Sequence, residues 1–226
     1  MRRTELLRYQ RDLGWSDPPD LPDCTPAPNG AANGVAGSLE ELARQVDGCT
    51  ACDLCKTRKK IVFGEGHPRA RVLFIGEGPG AEEDKTGRPF VGQAGRLLDG
   101  MISALGLERR QVYIANVVKC RPPRNRDPVP EEMAACAAYL DQQIELIRPQ
   151  VIVALGRVSS RRLTGADKTM GALRGRWSHY RGVPLLPTFH PAYLLRQPAE
   201  KRRVWADLKK VLEHLKAAGS NQPASD

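Results

Sequence analysis

Short apolar runs rich in β-branched residues alternate with segments of helical periodicity along most of the chain. The strand candidates are residues 71–75, 112–118, 151–155 and 183–189. Helical spacing covers residues 92–105, 130–147 and 200–216, and the last of these is basic and amphipathic. Strands and helices that alternate in this way predict an α/β fold of three layers, with helices on both faces of a central, mostly parallel four-stranded sheet.

Four segments follow the predicted strands directly. They are residues 76–80, 119–126, 156–160 and the stretch from His190 onward. Ligands of parallel sheets bind beyond the carboxyl ends of the strands. We therefore expect the functional residues in these four segments.

The amino-terminal part of the chain has a different composition. Residues 4–13 have the pattern of a short amphipathic helix, whereas residues 15–37 are rich in proline and glycine. Ser38-Leu39-Glu40-Glu41 is a capping box that predicts a helix towards Asp47. We predict a disordered extension and linker over residues 1–37, a folded domain over 38–217 and a flexible tail over 218–226.

The composition is that of a globular protein, with 41% hydrophobic and 27% charged residues among 226. Every apolar run is too short to cross a bilayer, and the first residues have no signal-peptide pattern. We therefore expect a cytoplasmic protein with reduced thiols and no membrane contact.

The formal net charge of +9 is unevenly distributed, since residues 1–48 carry −3 and the remainder +12. A domain this basic favours a polyanionic partner such as DNA or RNA. An ordinary Lys- and Arg-rich surface is the alternative that charge alone leaves open.

The cysteines have the spacing of a metal site. Cys49, Cys52 and Cys55 follow one another at intervals of three, and Cys120 and Cys136 come much later. In a reducing compartment this pattern is typical of four thiolates that bind zinc or an iron-sulfur cluster, and spacing does not separate the two. A redox CxxC motif fits less well because the cysteines precede the first strand.

The glycine-rich turn at residues 76–81 formally matches a dinucleotide fingerprint. Glu82, Glu83 and Asp84 follow immediately and would repel a pyrophosphate. The next strand ends at Lys119 rather than at an acidic residue that could hold a ribose. We therefore predict no nucleotide cofactor.

Five motifs, taken together and in order, resemble one family. They are Gly76-Glu77-Gly78-Pro79-Gly80, Glu83-Asp84, Gly87-Arg88-Pro89-Phe90-Val91-Gly92, Asn116-Val117-Val118-Lys119-Cys120-Arg121-Pro122-Pro123 and His190-Pro191-Ala192-Tyr193-Leu194-Leu195. Over about residues 49–215 the chain resembles the family 4 uracil-DNA glycosylases, the iron-sulfur type of bacteria and archaea. The resemblance implies a monofunctional enzyme of base-excision repair that flips uracil from DNA, releases it and leaves an abasic site.

The resemblance also implies a cofactor. It assigns one structural 4Fe-4S cluster to Cys49, Cys52, Cys120 and Cys136, and it leaves Cys55 as a surplus thiol. We expect the cluster to fix loop geometry and to take no redox part in the hydrolysis.

For recognition of the base, the resemblance points to Asn116, Phe90, Glu77 and Gly78. A side-chain amide can accept from uracil N3–H and donate to O4, and cytosine presents the opposite pattern. Phe90 would stack on the flipped base, while Glu77 and Gly78 would shape the pocket beside C5. By themselves, an Asn at a strand end and a Phe between Pro and Val are more often structural.

For catalysis, the resemblance points to His190, Glu83 and Asn125. His190 would donate to uracil O2 as negative charge grows on the leaving base. Glu83 would activate the water, with Asn125 assisting. The alternative for Glu83 is a favourable acid at the start of a helix.

For DNA, the expected contacts come from two loops. Lys119, Arg121, Arg124 and Arg126 surround Cys120, and Leu194, Leu195 and Arg196 follow His190. The leucines suit insertion between bases. Arg157, Arg161 and Arg162 are further candidates that a solvated helix face would also explain. We expect a monomer.

Two other functions stay open. A related group binds uracil-DNA covalently through a basic loop that ends in His, and residues 119–126 lack such a His. A zinc-stabilised nucleic-acid-binding fold without catalysis is the other alternative.

Overall fold

The computed structural model describes residues 35–220. The predicted helix over residues 4–13 lies outside this range, as does nearly all of the predicted linker, which contains Cys24. Within it, one sheet is formed by β1 (Glu65–Gly66), β2 (Val72–Gly76), β3 (Tyr113–Asn116), β4 (Val151–Leu155), β5 (Ser178–Tyr180) and β6 (Val183–Thr188).

The strand order of this sheet is β1-β3-β2-β4-β6-β5. The inner strands β3, β2, β4 and β6 pair in parallel, and β1 and β5 add antiparallel edges. The predicted fold class is confirmed, but the predicted count of four strands is wrong, since the described residues form six. Both additional strands have only two or three residues, which is too short for an alternating pattern to be recognised.

The helices fall between the strands, as the periodicity predicts. In the described part of the chain they are α1 (Val35–Val46), α2 (Ala81–Thr86), α3 (Gln93–Ala104), α4 (Pro130–Ile147), α5 (Arg157–Thr164), α6 (Met170–Leu173), α7 (Pro191–Arg196) and α8 (Lys201–Ser220). Short 3-10 turns cover Asp53–Lys56, Arg109–Gln111, Pro123–Asn125 and Pro198–Glu200. Helix α1 begins at Val35, before the capping box at Ser38.

Alternate residues of the four inner strands enter two separate cores. Val72 and Phe74 of β2 pack with α3 and α8, whereas Leu73 and Ile75 pack with α1, α4 and α5. Successive side chains of a strand point to opposite faces, so a sheet buried on both faces needs continuous apolar strands. The strands β2 and β4 are buried at every position.

Strand β3 is shorter than the apolar run that contains it. It ends at Asn116, and the next two residues turn towards the loop after β2, where Val117 N donates to Gly76 O and Val118 N to Glu77 O. The loops after β2 and β3 are thereby held together at the carboxyl edge of the sheet.

Candidate active site and cysteine site

A pocket of about 430 Å³ opens at the carboxyl edge of the sheet, and we call it the edge pocket. The loops after β2, β3 and β6 form much of its wall. It is lined by Glu77, Gly78, Glu83, Phe90, Asn116, Asn125, Arg126, His190 and Arg196, among others. The structure therefore brings together every residue predicted for uracil binding and catalysis.

Asn116, the last residue of β3, is 1% exposed. Its side-chain oxygen Oδ1 has no hydrogen-bond partner among the described residues. A β-carbon on the neighbouring Gly76 would lie 2.4 Å from this oxygen, so only glycine leaves it room. A buried acceptor without a donor costs about 1–3 kcal/mol, so a ligand that donates to this oxygen would offset that cost.

Phe90 lies in the loop between α2 and α3 in a left-handed conformation, with φ of 49°. Its ring is buried and stacks on His190 with 5.5 Å between the centroids. A β-carbon on Gly95 would lie 1.9 Å from the Phe90 carbonyl oxygen, so the loop presses directly on α3. Backbone in this sparsely populated region is concentrated at functional sites.

His190 caps the start of α7, where its Nδ1 accepts a hydrogen bond from Ala192 N at 3.1 Å. Nδ1 therefore carries no proton, and Nε2 is the donor of the ring. Burial lowers the pKa of His190 to about 4; Arg196 acts in the same direction and Glu83 in the opposite one. The imidazole is thus a neutral N–H donor at neutral pH.

Glu83 lies in α2 and is fixed by one of its carboxylate oxygens. Oε1 accepts from Val91 N at 2.8 Å and from Gly92 N at 2.9 Å. Oε2 accepts no hydrogen bond from the described residues, and a β-carbon on Gly80 would lie 2.7 Å from it. One oxygen thus binds the chain just before α3, and the other is available at the edge pocket.

Asn125 lies in the loop after β3, where it and Arg124 both have positive φ. Its Oδ1 accepts from Arg121 Nε at 2.7 Å. Its side-chain amide nitrogen is therefore the group still available to a ligand. Arg126 is paired with Glu132 at 2.6 Å, which orients its guanidinium at the pocket mouth.

Glu77 follows β2 and is half-buried. Burial raises its pKa to about 7, with a further contribution from the charge of Asp127 and an opposing one from Arg157. Asp127 and Arg157 form an ion pair with each other. The next residue, Gly78, is close-packed, because a β-carbon there would lie 2.8 Å from a Val118 methyl group.

A second, smaller pocket lies behind the loop after β3, and we call it the cysteine pocket. Cys49, Cys52, Cys120 and Cys136 all line it, together with apolar residues that include Val46 and Ile61. Cys55 is not in its lining. The four predicted ligands thus gather in one place, and the predicted surplus thiol lies outside it.

Three of the four thiols accept hydrogen bonds in this pocket. Arg58 Nη1 donates to Cys120 Sγ at 3.3 Å, Lys119 N to Cys136 Sγ at 3.5 Å and Tyr139 Oη to Cys49 Sγ at 3.6 Å. Burial raises the pKa of Cys120 to about 11, against the effect of Arg58. Donors on the sulfurs, with a cation beside one of them, fit thiolate ligands.

Two residues predicted to contact DNA are buried. Lys119 is 1% exposed, and its Nζ donates to Asn116 O at 3.0 Å and to Gln143 Oε1 at 2.6 Å. Leu194 is also 1% exposed and packs in the core with α3 and α8. Tertiary packing turns both side chains inward, so neither reaches the surface where the predicted DNA contact would be made.

Other predicted DNA residues lie at the surface. Arg124 and Arg196 are exposed, and Leu195 is 45% exposed. Arg121 is half-buried beside Asn125. Of the α5 cations, Arg157 pairs with Asp127, Arg161 pairs with Asp167, and Arg162 is half-buried.

Sequence reasoning missed several residues that shape the edge pocket. Tyr193, Ala94 and Pro122 line it, and Arg109 binds the carbonyl groups of Pro89 and Phe90. Tyr193 and Pro122 belong to two of the five motifs of the sequence, which is a signal that could have identified them. Nothing in the sequence pattern identifies Arg109 as a site residue. It is one of two adjacent arginines after a predicted helix, and such residues usually lie at the surface.

Across residues 35–220, no helix is both long and apolar enough to span a membrane. In the same range, no three His, Cys, Asp or Glu side chains converge as ligands of a single metal ion.

Comparison with known proteins gives consistent matches. The family model described as the uracil DNA glycosylase superfamily matches residues 63–209. The type-4 uracil-DNA glycosylase of Thermotoga maritima is 48% identical over 185 residues, which are 80% of this chain and 96% of that protein.

Two archaeal proteins of the same name are similarly close. The type-4 uracil-DNA glycosylase of Sulfurisphaera tokodaii is 45% identical over 78% of this chain and 84% of its own length. The protein from Archaeoglobus fulgidus is 41% identical over 82% of this chain and 96% of its own length. The similarity to these relatives thus covers about four fifths of this chain.

Proposed function

This chain belongs to the uracil-DNA glycosylase superfamily and resembles its type-4 members, and we propose that it flips uracil out of DNA and hydrolyses its N-glycosidic bond. The products are free uracil and an abasic site, which begins base-excision repair. The observation that carries the proposal is the unpaired Oδ1 of buried Asn116 beside the neutral imidazole of His190 in one pocket.

Recognition of uracil follows from the donors and acceptors of Asn116. Oδ1 accepts from uracil N3–H, and the side-chain amide donates to O4. Cytosine has an acceptor at N3 and a donor at N4 and would leave both groups unpaired. Buried unpaired groups give strong discrimination, of about 10⁴-fold or more in sites of this type.

Stabilisation of the leaving base is assigned to His190. Cleavage passes through an oxocarbenium-like sugar while negative charge grows on uracil. A neutral Nε2–H can donate to O2 as the charge develops. One such donor lowers the activation barrier by about 2.7–4 kcal/mol. Burial keeps the ring neutral, so it can act without first losing a proton.

Water activation is assigned to Glu83. Its Oε1 is held by two main-chain amides, which orients Oε2 towards a water that attacks the sugar. Asn125 assists through its side-chain amide nitrogen. The capping of the chain before α3 and the orientation of water are compatible roles, because they use different oxygens of one carboxylate.

DNA binding is assigned to the rim of the edge pocket. Arg121, Arg124 and Arg126 on one side and Arg196 on the other would contact phosphates, and Leu195 would enter the space that the flipped base leaves. Its 45% exposure makes Leu195 available for insertion. Arg157, Arg161 and Arg162 would add more distant phosphate contacts.

The four cysteines of the cysteine pocket would hold a 4Fe-4S cluster. The cluster would supply a permanent cross-link between the amino-terminal segment, the loop after β3 and α4. The residues fit this group, since four thiols share one pocket and three accept hydrogen bonds there. Arg58, Lys119 and Tyr139 would orient the ligands.

We also propose that the protein is a monomer and that it acts in the cytoplasm. All residues assigned to the edge pocket come from one chain, so no second subunit is needed to complete it. Reduced thiols for metal binding are stable in the cytoplasm.

The proposed activity can be tested with a labelled oligonucleotide that contains one uracil. Anaerobically purified protein should release uracil and leave an alkali-labile site, whereas matched oligonucleotides with thymine or cytosine should stay intact. Asn116→Ala should abolish most of this activity without lowering the melting temperature, since it removes a buried acceptor that has no donor.

Each other outcome has a clear meaning. If the protein releases no uracil, the proposed function is wrong. A DNA adduct that survives denaturation would favour the covalent binding module. A colourless, zinc-containing protein without turnover would favour a zinc-stabilised binding fold.

A further inference from the structure

The chain between α2 and α3, residues 87–92, is called the Phe90 loop here. Two side chains bind one main-chain group of each of its last four residues, Pro89 to Gly92. On one side, the Glu83 carboxylate accepts from Val91 N and Gly92 N. On the other side, the Arg109 guanidinium donates to Pro89 O and, at 3.2 Å, to Phe90 O. Glu83 of α2 thus holds the amides of the loop, and Arg109 of the turn after α3 holds its carbonyl groups.

Arg109 is itself fixed in place. Its Nη1 also binds Asp99 Oδ1 of α3 at 2.9 Å, and its Nε lies 3.6 Å from Glu65 Oε1 of β1. The planar fork of a guanidinium can bind two carbonyls and a carboxylate together, which a lysine ammonium cannot do with the same geometry. Arg109 therefore links the Phe90 loop to both α3 and the edge of the sheet.

The conformation that Arg109 holds is one that Phe90 rarely adopts. Its φ of 49° lies in the left-handed region, which disfavours residues with a β-carbon. The loop also touches α3 at Gly95, where a β-carbon would lie 1.9 Å from the same Phe90 carbonyl. Strained backbone of this kind persists only where surrounding contacts determine it.

We propose that Arg109 is a positioning residue that acts through Phe90, by holding the aromatic platform of the edge pocket ready for the flipped base. This inference rests on the proposed function. Without Arg109, the loop can relax to negative φ, and the ring moves away from its place beside His190. A displacement of about 1 Å in a substrate-positioning group can lower the rate by about 100-fold.

The test compares Arg109→Gln and Arg109→Lys with Arg110→Gln, a matched control. Arg110 is the exposed neighbour that pairs with Glu108. In steady-state assays, Arg109→Gln should lower kcat/KM for uracil-DNA about 100-fold and weaken inhibition by free uracil. Arg109→Lys should fall in between, and Arg110→Gln should match the unsubstituted protein.

A double-mutant cycle separates positioning from general destabilisation. In a Phe90→Ala background, Arg109→Gln should lower the rate less than about threefold, since residues that act through one contact are not additive. Equal losses with and without Phe90 would overturn the inference. Equal activity of Arg109→Gln and Arg110→Gln would overturn it as well.

Amide hydrogen exchange provides a readout that does not depend on activity. In Arg109→Gln, a peptide covering residues 86–95 should exchange faster, while strands β2 and β4 stay protected. If the unsubstituted protein released no uracil, the proposed function would fail, yet this measurement would still decide whether Arg109 holds the loop. Unchanged exchange in residues 86–95 would contradict the inference.

Discussion

The edge pocket and the cysteine pocket lie on either side of one chain segment but have opposite characters. The edge pocket is wide and contains polar groups left without partners, such as Asn116 Oδ1. The cysteine pocket is small, and three of its four thiols already accept hydrogen bonds, from Arg58, Lys119 and Tyr139. Unpaired groups suit a ligand that enters and leaves, whereas satisfied ones suit a permanent occupant.

The segment from Asn116 to Arg126 contributes to both pockets. Asn116, Asn125 and Arg126 line the edge pocket, and Lys119 and Cys120 line the cysteine pocket. Lys119 also bonds directly to the main chain of Asn116. A change at the cysteines should therefore reach the site of chemistry, whereas a change at the edge pocket should leave the cysteines intact.

The largest effect is expected from the loss of a proposed ligand. Cys120→Ser or Cys136→Ser should abolish iron binding, because even changes beyond the ligands cost about 10–100-fold in metal affinity. Activity and thermal stability should fall with it. Iron analysis, the visible spectrum and uracil release measure the three effects. Cys55→Ser is the matched control and should retain iron and activity; loss of iron there instead would reassign the ligands.

The next largest effect is expected from His190→Ala. Removal of one preorganised donor should lower kcat by about 10²–10³-fold. Iron content should stay unchanged, because the cysteine pocket is separate. His179→Ala, at an exposed position on β5, should be fully active. An unchanged rate in His190→Ala would remove this residue from the mechanism.

Lys119→Met tests the connection between the two pockets. It would leave the buried Gln143 Oε1 and Asn116 O without this donor, at a cost of about 1–3 kcal/mol in the free energy of unfolding. The activity should decrease while iron is retained, since the bond to Cys136 uses the main chain of Lys119. Denaturant titration gives the stability, and the exposed Lys216→Met should change neither value.

Leu195→Ala should have a moderate effect that is confined to DNA binding. Loss of the leucine surface that inserts into DNA should weaken binding of uracil-containing duplex about tenfold, with little change in stability. Fluorescence anisotropy measures the Kd. Trp177 has a similar exposure of 42%, but its ring is tilted against that of His214 of α8. His214 in turn contacts the residue before β4, at the other edge of the sheet. Binding by Trp177→Ala should therefore be normal.

The smallest effect is expected from the titration of Glu77. Its pKa of about 7 lies above the ordinary value of 4.5, so the folded state retains the proton more strongly than the unfolded chain. Its contribution to stability is therefore lost as the pH rises from about 4.5 to 7. Glu77→Gln should raise the melting temperature at pH 8 relative to the unsubstituted protein, with no gain at pH 4. The exposed Glu82→Gln, which loses its pair with Lys85, should not be stabilising at either pH.

Much of the site could be predicted because its residues follow strands whose pattern is clear. The loops after parallel strands meet at one edge, so Glu77, Asn116 and His190 were expected to lie together. Lys119 and Leu194 could not be assigned in the same way. A lysine in a basic loop and a leucine in a helical turn look exposed in sequence, and only their packing shows that they are buried.

The sequence by itself determined the layered α/β fold, the four inner strands, the family and the grouping of the cysteines, because each depends on periodicity, spacing or motif. Tertiary structure alone decided which side chains are buried, the tautomer of His190, the unpaired Oδ1 of Asn116 and the hold of Arg109 on the Phe90 loop. These features arise from contacts between residues far apart in the chain, such as Arg109 with Phe90 and Lys119 with Gln143. The local pattern of hydrophobic and polar residues does not predict such contacts.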